Sequence, residues 1–240
     1  MLNIDCEGKY YQEVCEEIRN SKDDQITLLN CVGQRYIGAG VANKYISIQG
    51  VPGNALGAYM DGATINVNSS VQDAVGDTMN AGKIIVNGSS GDATGYAMRG
   101  GEIFIRDDAG YRAGIHMKAY KEKFPIIIIG GKSGSFLGEY MAGGIIIVLN
   151  QQNDDYPVGN FTGVGMHGGK IFIRGSIDNI VLPPQVQCEV AKDTDIDEIK
   201  NYIRDYANTF NLSMDKLLDS TYYVLTPNSN NPYKKLYTAF

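Results

Sequence analysis

The sequence predicts an all-β fold, a single-stranded right-handed parallel β-helix: a solenoid of about seven coils of ~19 residues with helical caps at both ends. Glycine is unusually frequent, with 29 glycines in 240 residues against a usual share of roughly 7%. Short β-branched runs recur at steps of 19, 19, 19, 24, 19 and 25 residues, which indicates repeated strands. The runs are Ile46–Ile48, Ile65–Val67, Ile84–Val86, Ile103–Ile105, Ile127–Ile129, Ile146–Val148 and Ile171–Ile173.

A second motif, a glycine followed three residues later by a methionine, repeats with nearly the same spacing. Glycine costs roughly 1 kcal/mol relative to alanine inside a helix, so these segments are predicted to be tight corners between strands. Because stacked coils place each repeat position in a column, we expect one column of structural corner glycines and one of core methionines. The glycines are Gly57, Gly76, Gly95, Gly114, Gly138 and Gly163, and the methionines are Met60, Met79, Met98, Met117, Met141 and Met166.

The middle residue of each β-branched run is predicted to point away from the core, because side chains alternate along a strand. These positions are polar in the first two runs, at Ser47 and Asn66, and apolar in the other five. An apolar strip of that length is rarely left in water, so it is predicted to be an interface with the C-terminal tail or with a partner chain. The strip consists of Ile85, Phe104, Ile128, Ile147 and Phe172.

Helices are predicted before and after the repeats. Residues 9–20 place apolar side chains on one helical face, and the Asp195-x-x-Glu198 pattern resembles a capping box that opens a second helix. The stretch from Tyr222 to the end is aromatic and rich in asparagine, and we expect it to lie on a surface. The predicted parts are an N-terminal cap helix in 1–25, the β-helix domain in 26–180, and a C-terminal helical extension and tail in 181–240.

Composition and charge narrow the classes of function. The net charge of −6 disfavours nucleic acid and anionic membranes as partners. No apolar run approaches the ~20 residues that span a bilayer, and the N-terminus lacks a signal-peptide pattern, so we expect a cytoplasmic protein. The four cysteines, Cys6, Cys15, Cys31 and Cys188, form no CxxC motif, and we expect reduced thiols rather than a zinc or iron–sulfur site.

Two glycine-rich segments are similar to phosphate-binding motifs but lack a required feature. Gly163-x-Gly165-x-x-Gly168 has the dinucleotide-binding spacing, yet the strand pattern of Lys170–Arg174 follows it in place of a helix. The segment GGKSGS has Ile126 where a P-loop needs its first glycine. The sequence therefore predicts no catalytic, no cofactor-binding and no metal-binding residue in this chain.

The repeat segments together resemble the GXGXG domain of glutamate synthase, over about residues 26–177. The resemblance is to the stand-alone form, in which amidotransferase, FMN/iron–sulfur and β-helix parts are separate chains. A more distant similarity is to one of the subunits of formylmethanofuran dehydrogenase. The resemblance implies that FMN and an iron–sulfur cluster belong to partner subunits, with no cofactor in this chain. The segments are CVGQRYIGAG, GVPGNALGAYMDGATINV, GDTMNAGKIIVNG, GYAMRGGEIFIR, GYRAGIHMK, GEYMAGG and GMHGGKIFIRG.

The resemblance implies a non-catalytic scaffold subunit of a glutamate-synthase-type complex in nitrogen assimilation, with amidotransferase and FMN-synthase subunits as partners. Two alternatives stay open. One is a scaffold subunit of another oxidoreductase, such as a formylmethanofuran-dehydrogenase-like complex. The other is a self-contained carbohydrate-active β-helix enzyme, which would use the carboxylate pairs Asp107-Asp108 and Asp154-Asp155. Whether the chain forms a homo-oligomer, and which amine acceptor the complex serves, is left open by the sequence.

Overall fold

The computed structural model describes residues 1–228, in which eleven strands form one sheet. Strands β1 to β9 lie side by side in chain order and are parallel, whereas β11 and β10 complete the sheet in antiparallel orientation. The strands are β1 (Leu2–Asp5), β2 (Gln25–Val32), β3 (Tyr45–Val51), β4 (Asp61–Val67), β5 (Ala81–Val86), β6 (Gly101–Ile105), β7 (Pro125–Ile129), β8 (Ala142–Val148), β9 (Gly168–Arg174), β10 (Val186–Val190) and β11 (Tyr222–Pro227). The helices are α1 (Tyr11–Asn20), α2 (Asp193–Phe210) and α3 (Met214–Leu218).

The sequence repeats set the register of the parallel strands. The first isoleucine of each β-branched run pairs with the equivalent isoleucine of the next run, and the 24- and 25-residue steps add residues only between strands. Each repeat therefore contributes one strand to the sheet, at the same register as its neighbours. The paired residues run in the order Ile46, Ile65, Ile84, Ile103, Ile127, Ile146 and Ile171.

The predicted fold class, an all-β single-stranded parallel β-helix, is wrong. The described strands form a single open sheet of eleven mostly parallel strands accompanied by helices. The segments between the strands are turns, in which residues such as Ala74 and Ala93 have positive φ angles that cannot continue a strand. Successive turns are joined by backbone hydrogen bonds, such as that from the N–H of Gly76 to the carbonyl oxygen of Leu56 at 2.8 Å, and by isolated bridges such as Ser90 with Ala109.

The C-terminal stretch adds to the sheet. Residues 222–227 form β11, which lies between β9 and β10 with Val224 opposite Phe172 and Leu225 opposite Ile171. Part of the stretch expected to lie on a surface is thus a strand of the sheet. The rest of the predicted tail, residues 229–240, lies outside the described residues.

Two apolar clusters cover the two faces of the sheet. On one face, the inward strand residues pack against the turn segments and against Val14 and Ile18 of α1. On the other face, the outward residues of β6 to β9 pack against α2. The backbone N–H of Lys192 donates to Asp195 at the start of α2, so Asp195 occupies the third helical position rather than the cap. The division of the chain at residues 25 and 180 stays a prediction.

Candidate interaction surface

Helix α2 lies against the apolar strip that the strand alternation identifies. Ile199 and Ile203 are fully buried, and both contact the outward face of the sheet. Burying side chains of this size contributes roughly 1.5–3 kcal/mol each, so the helix gains much of its stability from this contact. The strip residues in the same cluster, all 0% exposed, are Phe104, Ile128, Ile147 and Phe172.

Tyr206 anchors the helix with a polar contact inside this apolar cluster. Its hydroxyl donates to the carbonyl oxygen of Ile105 at 3.0 Å and receives a bond from the amide of Gln151 at 3.4 Å. Its ring meets the ring of Phe104 edge-on at 5.6 Å, a favoured aromatic geometry. Burial raises the pKa of this hydroxyl, which therefore stays a hydrogen-bond donor.

Charged side chains hold both ends of the α2–α3 segment. The ammonium of Lys170 on β9 lies 3.2 Å from Asp195 and 2.6 Å from Glu198, in the first turns of α2. Carboxylates are favoured near a helix N-terminus, so this pairing also agrees with the helix dipole. At the other end, the guanidinium of Arg174 donates to the carbonyl oxygen of Leu217 in α3 at 3.0 Å.

Ile85, the fifth strip residue, lies beyond this cluster. It is half-buried on β5, outside the residues that pack against α2. Beside it, the ammonium of Lys83 lies 4.1 Å from the centre of the Phe104 ring and pairs with Glu102 at 2.8 Å. The methylene groups of this lysine therefore cover the edge of the apolar cluster where the helix ends.

The repeat glycines and methionines occupy equivalent positions in successive turns. All six corner glycines have φ between 64° and 73°, and all six methionines are 0% exposed. A Cβ on Gly57 would lie 2.6 Å from Cδ1 of Ile84, and a Cβ on Gly138 would lie 2.6 Å from Cδ1 of Ile171. These corners thus combine a left-handed backbone with close approach to an isoleucine of the second strand that follows.

The turns between the strands also carry aromatic side chains that are exposed or half-buried. His116 stacks on Tyr140, with ring centres 5.3 Å apart and an interplanar angle of 9°, and meets Tyr96 edge-on at 5.9 Å. On the same turns, Phe136 stacks on Phe161 at 5.0 Å. The guanidinium of Arg112 lies 4.6 Å from the centre of the Phe136 ring and pairs with Glu139 at 3.1 Å. We call the set of Tyr96, Arg112, His116, Phe136, Tyr140 and Phe161 the aromatic surface.

The backbone of the aromatic surface is strained. His116, Phe136, Tyr140 and Phe161 have φ angles of 56°, 64°, 52° and 61°, in a region that bulky side chains rarely adopt. Such conformations cost of order 1–3 kcal/mol each. Phe161 is nevertheless 55% exposed and Tyr140 is 37% exposed, so burial in the core offsets little of this cost.

A cavity of about 470 Å³ adjoins the aromatic surface. Phe161 and Val164 form one side, and the loop that contains Val181 and Pro184 forms the other. Val181 is 81% exposed, so apolar area continues from the stacked rings into this cavity. Sequence reasoning missed the surface, although the recurrence of aromatic side chains one repeat apart, at Phe136 and Phe161, was a signal for it.

The carboxylate pairs stabilise turns. Asp107 accepts from Arg106 at 3.0 Å, and Asp108 accepts from the backbone N–H of Lys132 at 2.8 Å. The ammonium of Lys132 in turn donates to Asp154 at 2.9 Å, which lowers the pKa of that carboxyl. A glycosidase general acid needs a raised pKa, so this arrangement does not favour carbohydrate cleavage. Within residues 1–228, no three His, Cys, Asp or Glu side chains are grouped as metal ligands.

Residues 9–227, nearly the whole described chain, match the GXGXG motif family. The chain belongs to this family. The family resemblance of the repeat segments is thereby confirmed. An uncharacterized protein of Methanocaldococcus jannaschii is 48% identical to this GXGXG chain over 249 residues, covering 98% of the chain and 95% of the relative.

A solved structure shares the fold of this GXGXG chain. It is a chain of the formyltransferase/hydrolase complex of Methylorubrum extorquens, determined in complex with methylofuran. The TM-score is 0.64 at 18% sequence identity, over 90% of this chain and 84% of that chain. In the described part of the GXGXG chain, no helix has the length and apolar character needed to cross a membrane.

Proposed function

We propose that this chain is a non-catalytic scaffold subunit of a multisubunit oxidoreductase complex of the formylmethanofuran-dehydrogenase-like kind. Membership in the GXGXG family supports a role as one part of a larger assembly. The similar fold of a chain from a formyltransferase/hydrolase complex supports this kind of complex in particular. The proposed role of the chain is to hold partner subunits at fixed positions along its sheet and turns.

The aromatic surface is the observation that carries this proposal. Its rings are held at positive φ angles, which costs energy, while Phe161 and Tyr140 remain in solvent. Strained backbone persists where a function requires the side chain, and exposed aromatic residues with arginine are typical of protein interfaces. The equivalent positions of earlier turns, such as Ala74 and Ala93, share the positive φ, so the exposed rings and the adjoining cavity are the features that a partner subunit would bury.

The apolar strip on the face of the sheet that α2 covers is a weaker candidate for the partner contact. Helix α2 already buries Phe104 and Phe172 there, so little apolar area is left for another chain. Half-buried Ile85 is the strip residue that extends past the helix. We therefore assign the main partner contact to the turns rather than to this face of the sheet.

A glutamate-synthase-type complex is the second candidate. It is favoured by the repeat segments GDTMNAGKIIVNG and GYAMRGGEIFIR, which resemble the GXGXG domain of glutamate synthase. In that case the partners are an amidotransferase subunit and a synthase subunit that carries FMN and an iron–sulfur cluster. The two candidates share the scaffold role and differ in the identity of the partners.

Native purification of the tagged chain from its own host distinguishes the two candidate complexes. We expect the chain to elute in stoichiometric amounts with other subunits, and peptide mass spectrometry identifies their class. Subunits of a formylmethanofuran-type enzyme support the first candidate, whereas an amidotransferase with a flavin-containing chain supports the second. A tagged chain that elutes alone, at the size of its own monomer or homo-oligomer, contradicts both.

Paired variants test the role of the aromatic surface. Asparagine tolerates positive φ, so Tyr140→Asn with Phe161→Asn removes the rings without adding backbone strain. We expect this double variant to keep its circular dichroism spectrum and thermal midpoint but to lose most of the co-purifying subunits. Tyr10→Ser, at a position 76% exposed on the N-terminal segment, is the matched control and should retain them. Retention of every partner by the double variant would place the contact elsewhere.

A further inference from the structure

The first edge of the sheet holds two buried thiols that the proposed function does not use. Cys6 follows β1, and its backbone N–H donates to the carbonyl oxygen of Leu29 on β2 at 2.9 Å. Cys6 and Cys31 are 0% and 1% exposed, and both belong to the same apolar cluster. They are 25 residues apart in the sequence, a spacing that matches no cysteine motif.

A bulge in β2 aims Cys31 at this cluster. Leu28 pairs with Ile48, but the next pair is Cys31 with Gly50, so β2 carries one extra residue between them. Asn30, within the bulge, has a φ of 53° and is exposed. Simple alternation from Leu28 would bury Asn30 and expose Cys31. The bulge therefore exchanges the two orientations, so that Asn30 faces solvent and Cys31 faces the apolar cluster. Bulges near functional sites often redirect a side chain in this way.

One amide side chain joins the segments that carry the two cysteines. Oε1 of Gln34 accepts from the Cys31 thiol at 3.3 Å and from the backbone N–H of Val32 at 2.7 Å. Nε2 of the same residue donates to the carbonyl oxygen of Cys6 at 2.9 Å. Gln34 is 8% exposed, so this clamp is a buried link between the Cys6 backbone and the Cys31 side chain.

The pair differs chemically from the other two cysteines. The neighbouring Cys31 thiol, together with Lys9, lowers the pKa of Cys6, and the neighbouring Cys6 thiol raises the pKa of Cys31. Burial raises the pKa of both Cys15 and Cys188. A cavity of about 750 Å³ that is lined by Cys6, Cys31 and Lys9 lies against the pair, whose side chains are themselves buried.

We infer that Cys6 and Cys31 form a redox-active dithiol site that a low-molecular-weight disulfide converts to an intramolecular disulfide. The Cys6 thiolate attacks one sulfur of the small disulfide, forms a mixed disulfide and releases one thiolate. That thiolate takes the proton of Cys31, whose sulfur then attacks the Cys6 sulfur and displaces the second thiolate. Two protein thiols are oxidised and one disulfide is reduced to two thiols. The product links the end of β1 covalently to β2.

Oxidised glutathione and peptide mapping of the full-length native chain test the site. Trypsin separates Cys6, Cys15 and Cys31 into the peptides 1–9, 10–19 and 23–35. After oxidation, alkylation and digestion without reductant, we expect peptide 1–9 linked to peptide 23–35, with Cys15 alkylated once the protein is unfolded. Dithiothreitol should restore both free thiols. Modification of Cys188 alone, or a link that forms only in denaturant, would overturn the inference.

Single variants test which sulfur attacks first. Cys31→Ser should accumulate a stable glutathione adduct at Cys6, because no second thiol is present to displace it. Cys6→Ser should leave Cys31 less modified over the same time, because burial still raises the pKa of Cys31 after its partner thiol is removed. Cys15→Ser is the matched control and should form the 1–9 to 23–35 link at the wild-type rate. Equal adducts in both single variants would contradict the assigned order. None of these readouts depends on partner subunits.

Discussion

The hydroxyl of Tyr206 donates a 3.0 Å hydrogen bond to the carbonyl oxygen of Ile105, 101 residues earlier in the chain. Ile105 is the last residue of β6, and Tyr206 lies in α2. The contact is fully buried, and the ring of the tyrosine packs on Phe104 beside it. This bond therefore fixes the position of the C-terminal helix on the middle of the sheet.

Removal of this hydroxyl should destabilise the protein. Tyr206→Phe removes this donor while the carbonyl oxygen of Ile105 still accepts from the backbone N–H of Gly130, so we expect a loss of about 0.5–1.5 kcal/mol in the free energy of unfolding. Urea unfolding followed by circular dichroism measures the change. Tyr202→Phe, at a half-buried position on the same helix, is the control and should change stability by less than about 0.5 kcal/mol. Equal stability of the two variants would contradict the anchoring role of Tyr206.

Polar substitution on the buried side of α2 should expose the apolar face. Ile199 and Ile203 are 0% exposed against the sheet, so Ile199→Asp with Ile203→Asp places two charges in an apolar cluster. We expect the helix to detach, with strong binding of a hydrophobic dye and aggregation on a sizing column. Asn208→Asp, at an exposed position of the same helix, should behave as the parent protein. A monodisperse double variant without extra dye binding would show that the helix is not needed to cover this face.

A side chain at a corner glycine should be costly for two separable reasons. Gly95 has a φ of 71°, and a Cβ there would collide with Cδ1 of Ile127. Gly95→Val should lower the free energy of unfolding by about 3 kcal/mol or more. Gly40 has a φ of 67° with no neighbouring atom within 4 Å, so Gly40→Val should show only the smaller backbone cost of about 1–2 kcal/mol. Thermal unfolding compares the two, and equal losses would exclude a steric role for Ile127.

Stability should fall in acid partly through Asp195. The backbone N–H of Lys192 and the ammonium of Lys170 lower the pKa of this carboxyl below its usual value of 3.8. Its stabilising contribution is therefore present above about pH 4 and is lost as the pH falls through the folded-state pKa. Asp195→Asn should reduce the difference in unfolding free energy between pH 7 and pH 3 by less than about 1 kcal/mol. Urea titrations at the two pH values measure this difference.

Lys170→Gln serves as the partial control for that measurement. It removes the ammonium but keeps the backbone donor of Lys192, so the pH-dependent difference should shrink less than it does in Asp195→Asn. An unchanged pH dependence in both variants would mean that the pairing of β9 with α2 contributes no acid-sensitive stability. Raised ionic strength should weaken the Lys170 contribution in the parent protein, since the pair is partly exposed.

The repeat spacing was sufficient to predict which residues are equivalent. Ile84, Ile103 and Ile127 pair in register, and Met98 and Met117 are buried at matching positions of successive turns. Such equivalences are local properties, since each repeat presents the same residue types at the same intervals. The error concerned the segments between the strands. Positive φ at residues such as Ala93 and Arg112 makes them turns, and composition alone does not reveal a backbone angle.

The sequence by itself determined the family, the strand register and the alternation that places Phe104 and Phe172 on the outward face. Only the tertiary structure decided that one open sheet forms, that α2 lies on that face, and that Cys6 and Cys31 line one cavity beside a bulge. The physical reason is separation along the chain. A repeat is specified within a few tens of residues, whereas the contact of Tyr206 with Ile105 depends on how segments 101 residues apart pack together.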